Sequence, residues 1–110
     1  MKKLLAIALA LTLVLSASGA LATTYVSLGT GGTAGTYYAL GAEIASVWMN
    51  NIPDLNVTVQ PTDASKDNIV FICEGDIDVA TVQNDASAYA YAGNDFFGGQ
   101  TIGPFQGGPL

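Results

Sequence analysis

The residues best suited to chemistry lie in one ten-residue run, Gly29-Thr30-Gly31-Gly32-Thr33-Ala34-Gly35-Thr36-Tyr37-Tyr38. Its glycines let a backbone turn tightly and bring N–H groups close to a guest, and Thr30, Thr33 and Thr36 interleave hydroxyl donors with them. The run opens into a helical pattern, where the first four N–H groups lack partners and the dipole favours negative charge. A carboxylate or phosphate is therefore the natural guest. Two further polar segments, Pro61-Thr62-Asp63 and Gln83-Asn84-Asp85, fall where later strands end. In an open parallel sheet, ligands bind outside the carboxyl ends of the strands. No base stronger than a carboxylate is present in these segments, so binding rather than catalysis is expected.

The identity of the anion follows from what the chain lacks. Gly29-x-Gly31-x-x-Ala34 fits the dinucleotide fingerprint, and a secreted enzyme binding nucleotide or dinucleotide through it is the alternative. Gln60-Pro61, however, stands where the ribose-binding acid belongs, and no Gly-Lys-Ser/Thr phosphate loop occurs. Polyphosphate would meet no arginine, whereas one carboxylate is held by neutral donors, so a small organic acid is favoured. With no His and one Cys, zinc sites, disulfide frameworks and His-dependent triads are excluded. No cofactor is expected. Asp76 and Asp78 read as solvated turn residues at the far end of the sheet, and Asp85 as a helix cap that could meet an ammonium. Tyr89 and Tyr91 read as packing, while Tyr37 and Tyr38 stand beside the loop.

The positioning elements alternate. Met1-Lys2-Lys3 and the apolar stretch Leu4 to Leu15 read as a secretory leader, with Ala20-Leu21-Ala22 as its cleavage pattern and residues 1–22 as the signal peptide. An apolar stretch this short spans about 18 Å as a helix, against roughly 30 Å of bilayer core. Beyond the leader, Lys66 is the sole cation against nine carboxylates. Phosphate backbones are repelled, so nucleic acid is excluded as a partner. Anionic membrane surfaces are disfavoured likewise.

Thr24 to Leu28 reads as a strand, and Thr36 to Asn51 as a helix with Leu40, Ile44, Val47 and Trp48 on its apolar face. Leu55 to Gln60 reads as the second strand. Asp63 or Ser65 is expected to cap a second helix with Ile69, Ile72 and Cys73 inward and Val70 and Phe71 beside them; Cys73 reads as a small buried hydrophobe. A third strand, Ile77 to Val82, and a third helix to about Ala92 complete the order. Short links between alternating strands and helices mean right-handed βαβ units and a parallel sheet. Residues 23–93 thus form one α/β lobe. Asn94 to Leu110, rich in Gly and Pro, reads as a loop (residues 94–110) leading toward missing chain, since three strands alone make a marginal domain.

The segments L-G-T-G-G-T-A-G-T-Y-Y-A-L-G (28–41), V-T-V-Q-P-T (57–62), E-G-D-I-D-V-A-T-V-Q-N-D (74–85) and A-Y-A-Y-A-G (88–93) closely resemble the TAXI family. These are the solute receptors of tripartite ATP-independent periplasmic (TRAP) transporters. The resemblance implies the βαβαβα start of a type II-like periplasmic binding-protein lobe, with the second lobe missing. It implies a periplasmic protein that closes over a small organic acid or amino acid, glutamate-like or dicarboxylate, and delivers it to TRAP permease membrane subunits. The family's ligand loop maps onto Thr30, Gly31, Gly32, Thr33, Gly35, Thr36 and Tyr37, and its polar pair onto Gln83 and Asn84. Members are much longer, so this chain holds half a cleft and is expected to bind solute weakly or not at all by itself. Thr62-Asp63-Ala64-Ser65-Lys66-Asp67 replaces a turn usually richer in Gly and Ser. A small secreted interaction domain without a ligand is the third possibility.

Overall fold

The computed structural model describes residues 1–16, 22–93 and 97–98, with side chains of 11–16 excepted. Helix α1 (Lys2–Ser16) covers the apolar stretch Leu4 to Leu15. Among the described residues, no helix is long and apolar enough to cross a membrane. Ala20 and Leu21 of the expected cleavage pattern lie outside the described residues.

Then follow β1 (Thr24–Gly29), α2 (Thr36–Asn51), β2 (Leu55–Gln60), α3 (Ser65–Glu74), β3 (Val79–Ala80) and α4 (Asn84–Ala92). The three strands form one parallel sheet in the order β2-β1-β3. This is the expected α/β architecture. Because β1 is central, the two crossovers run in opposite directions, and right-handedness places their helices on opposite faces. Loops after β1 and β3 then part at a topological switch point, where such sheets bind ligands.

Alternation along β1 turns Val26 and Leu28 to one face. Val26 and Leu28 join Val57, Val59, Leu55, Val79 and α2's Ile44, Ala45 and Trp48 in one core. On the other face Ile69, Ala86, Ala90 and Phe97 form a second core, with Val70, Val82 and Tyr89 against it. Phe97 belongs to the segment expected to be loop, yet it is buried. The rest of that segment, 94–96 and 99–110, lies outside the described residues.

Several expectations need correction. On α2, Leu40 and Val47 are 49% and 57% exposed, while Gly41 and Ala45 are buried. The inward stripe is Gly41, Ile44, Ala45 and Trp48, rotated by one position toward small residues that let the helix lie close. A Cβ on Gly41 would stand 2.5 Å from Thr30 Cγ2. Cys73 is exposed rather than buried, and the α3 positions facing inward are Ser65, Asn68 and Ile69.

Neither Asp63 nor Ser65 caps α3: Ala64 holds the N-cap position without a side-chain bond. Asp85 does not cap α4 either. Gln83 holds that position, and Asp85 Oδ1 accepts from the Ala86 N–H at 2.8 Å. The third strand shrinks to Val79–Ala80, paired with Leu28 and Gly29, because the Ser27 N–H is taken by the Asp78 side chain before them and β1 ends at Gly29. Asp76 and Asp78 are exposed as expected, but Asp78 Oδ2 also accepts from Ser27 N–H at 2.8 Å and from Ser27 Oγ at 3.0 Å. That clip fastens the start of β3 to β1. Tyr91 is 57% exposed rather than packed.

Candidate functional site

The loops after β1, β2 and β3 meet at one edge of the sheet. Thr30 is fully buried; its N–H donates to the Gln60 carbonyl at 3.0 Å and its Oγ1 donates to the same carbonyl at 2.9 Å. That hydroxyl therefore faces the protein and not a guest. Gly31 is buried as well, and its carbonyl accepts from the Thr62 N–H at 3.3 Å. The first two residues of the predicted ligand loop thus join the β1 and β2 ends.

Beyond them the chain emerges. Gly32, Thr33, Gly35 and Thr36 are exposed and Tyr37 is half-buried. A Cβ on Gly32 would touch nothing within 4 Å, whereas one on Gly35 would stand 3.1 Å from the Gly32 carbonyl. The Gly35 N–H donates to that carbonyl at 2.8 Å, closing the turn into α2. Thr36, Tyr37 and Tyr38, in the first turn of α2, direct N–H groups that have no intrahelical acceptor toward this edge.

A separate groove of about 650 Å³ is lined by Asp63, Ala64, Ser65, Lys66, Gln83, Asp85, Ala86 and Tyr89. It lies between the starts of α3 and α4, so two helix N-termini border it. Of the predicted residues, Gln83 lines this groove; Asn84 is exposed beside it, and its Oδ1 accepts from the Asp85 N–H at 3.1 Å. The glycine loop and this groove flank the Thr62–Ala64 turn from two sides. Sequence reasoning missed Lys66 as a lining residue. The signal was available: Lys66 is the only cation after Lys3, and it stands in the first turn of a helix, where the dipole disfavours a cation.

The turn itself is unusual. Ala64 has φ 72° and ψ −144°, beside a region that only glycine ordinarily visits. Its N–H donates to Thr62 Oγ1 at 3.1 Å, and its carbonyl accepts from the Asn68 N–H at 3.0 Å. Ser65 Oγ accepts from the Gln83 N–H at 3.0 Å, tying α3 to the β3–α4 link. The Thr81 hydroxyl is buried and has no partner among the described residues.

Asn68 was also missed. It is fully buried, and its Nδ2 donates to the Thr30 carbonyl at 2.6 Å and to the Thr81 carbonyl at 2.8 Å. Its Oδ1 accepts from Thr62 Oγ1 at 2.7 Å. One side chain therefore touches the loop after each strand. Its partner signal in the sequence is Gly29: a Cβ there would stand 2.8 Å from Asn68 Oδ1 and 2.5 Å from Ile77 Cδ1.

The edge as a whole offers neutral N–H and O–H donors, one ammonium and two carboxylates. Among the described residues, no three metal-ligating side chains gather. This inventory suits reversible holding of a small polar molecule. Residues 28–105 match the NMT1-like family. No curated protein matches the chain.

Proposed function

This chain belongs to the NMT1-like family, which is built like periplasmic binding proteins and carries a solute-binding role, and from that premise we propose that it is the extracytoplasmic receptor of a TRAP-type transporter, related to the TAXI receptors. Its solute is a small organic acid or amino acid, held through a carboxylate at the glycine loop and the start of α2. The protein binds and releases without chemistry. A permease in the membrane takes the solute from it, and the leader sends the chain out of the cytoplasm to meet that permease.

The observation that supports this reading is the meeting of three strand-end loops at one edge, with exposed Gly32 and Thr33 leading into the first turn of α2. A carboxylate there gains charge-assisted bonds from N–H groups that are otherwise left to water. Gly31 and Thr30 hold the base of the loop and the Gly35 N–H closes its turn, so the presenting residues are Gly32, Thr33, Thr36 and Tyr37, with Gln83 and Asn84 across the edge. The groove beside the loop holds Lys66 together with Asp63 and Asp85, so its lining is net negative and the carboxylate is assigned to the glycine loop rather than to the groove.

Amide chemical-shift titration with succinate, L-malate and L-glutamate at millimolar concentrations tests the proposal and tolerates weak binding. Saturable shifts confined to Gly32–Tyr38 and Gln83–Asn84 are expected. Shifts at those amides with NAD and none with the acids would overturn it in favour of a nucleotide-binding protein. Silence toward every probe would remove the solute from this edge.

A further inference from the structure

We propose that Asn68 is the positioning residue of the loop edge: its carboxamide, reaching out of α3, locks the ends of all three strands into one platform, and solute affinity depends on that lock. The inference rests on the solute-binding reading above. Asparagine is a poor helix former, and burying its amide without partners is costly. Inside α3 it is stable only because its hydrogen-bonding groups are taken up. Both amide hydrogens go to carbonyls, those of Thr30 and Thr81, and the oxygen accepts from Thr62 Oγ1. Two carbonyl partners demand the NH₂ group, so the carboxamide has one orientation.

The geometry distinguishes this residue from an ordinary buried polar group. Its three partners belong to three different strand ends: Thr30 at the base of the glycine loop, Thr62 beside the Asp63–Ser65 rim of the groove, and Thr81 two residues before the Gln83–Asn84 pair. Gly29 gives up its side chain to clear the same space. The β1–β3 ladder contains only the pairs Leu28↔Val79 and Gly29↔Ala80, and the Thr81 N–H donates to the Gly29 carbonyl at 3.0 Å; Asn68 adds the side-chain link that ties this short seam to the first and second loops. Asn68 does not line the groove and acts through the loops it holds.

The test compares Asn68→Ala with Val57→Ala, a buried position in the other core. Hydrogen exchange should show Thr30–Thr33, Thr62–Ser65 and Thr81–Asn84 losing protection together in Asn68→Ala and keeping it in Val57→Ala. In succinate and L-glutamate titrations, Asn68→Ala should weaken binding roughly tenfold or more, as orienting partners of bound groups commonly do, while Val57→Ala lowers the melting temperature and leaves affinity unchanged. Thr62→Ser, which keeps the hydroxyl, should bind as wild type does, and the isosteric Thr62→Val should follow Asn68→Ala. Unaltered affinity in Asn68→Ala, or loosening of one loop alone, overturns the proposal. If the wild-type protein binds neither acid, the functional reading falls, and the exchange pattern decides by itself whether Asn68 locks the three loops.

Discussion

Replacing Ala64 with glycine should make the protein more stable, although it removes atoms. Ala64 sits at φ 72° and ψ −144°, and a non-glycine residue in such a conformation carries about 1–3 kcal/mol of strain. Glycine relieves that strain but gives the unfolded chain more freedom, which costs about 0.4–1 kcal/mol. Losing one half-buried methyl group costs on the order of 0.4 kcal/mol more, half the value of a fully buried one. With mid-range values the balance is a gain of about 1 kcal/mol, or roughly 4–8 °C in melting temperature for a domain of this size. Thermal unfolding followed by far-ultraviolet circular dichroism measures it, with Gly75→Ala as the opposing control. Gly75 ends α3 at φ 83° with open space around it, so a methyl group there meets no atom yet imposes the left-handed penalty of about 1–2 kcal/mol. The two substitutions should therefore shift the melting temperature in opposite directions. A fall or no change in Ala64→Gly, with Gly75→Ala falling as expected, would show that the Thr62–Ser65 turn is not strained.

Two other consequences are open to measurement. Gly29→Ala should cost about 1–3 kcal/mol of overpacking, because its Cβ would press on Ile77 Cδ1 and Asn68 Oδ1; Gly32→Ala, facing open space, should stay within about 0.5 kcal/mol of wild type, and denaturant midpoints would show the contrast. Cys73 is exposed, yet burial of part of its surface and the adjacent Glu74 carboxylate push its thiol up from the ordinary value. Since the thiolate is the reacting form, iodoacetamide should label Cys73 more slowly than a free thiol at neutral pH. Labelling should accelerate as pH rises, and Glu74→Gln should speed it; equal rates in the variant and wild type would contradict the role of Glu74.

Much of the backbone was legible because its signals are local. Leu55–Gln60 alternates and is bounded by Asp54 and Pro61, and Thr36–Asn51 runs unbroken from Gly35 to Pro53, so both elements fall where expected. The inward face of α2 was less legible, since a pattern weighted toward large side chains selects Leu40 and Val47, whereas close approach to β1 selects Gly41 and Ala45. Caps failed for a related reason. Asp63 and Ser65 have the right chemistry, but Ser65 is drawn to Gln83 and a strained Ala64 takes the N-cap place. The length of β3 depends on where the chain meets and leaves the edge of β1, which is a tertiary quantity. At the site, the glycine loop announced itself by composition, while Asn68 did not: its role comes from three carbonyl and hydroxyl partners brought together only when the strands align.

The unequal seams of the sheet have a mechanical consequence. Six residue pairs join β1 to β2, from Thr24↔Leu55 to Gly29↔Gln60, whereas two join β1 to β3. Strands β1 and β2 with α2 therefore move as one board, and the half made of α3, β3 and α4 hangs from it by a short weld, the Ser27–Asp78 clip and the carboxamide of Asn68. Deformation gathers where cohesion is least, so any load that spreads the loop ends bends the molecule along the β1–β3 line, beneath the gap between its first and third loops.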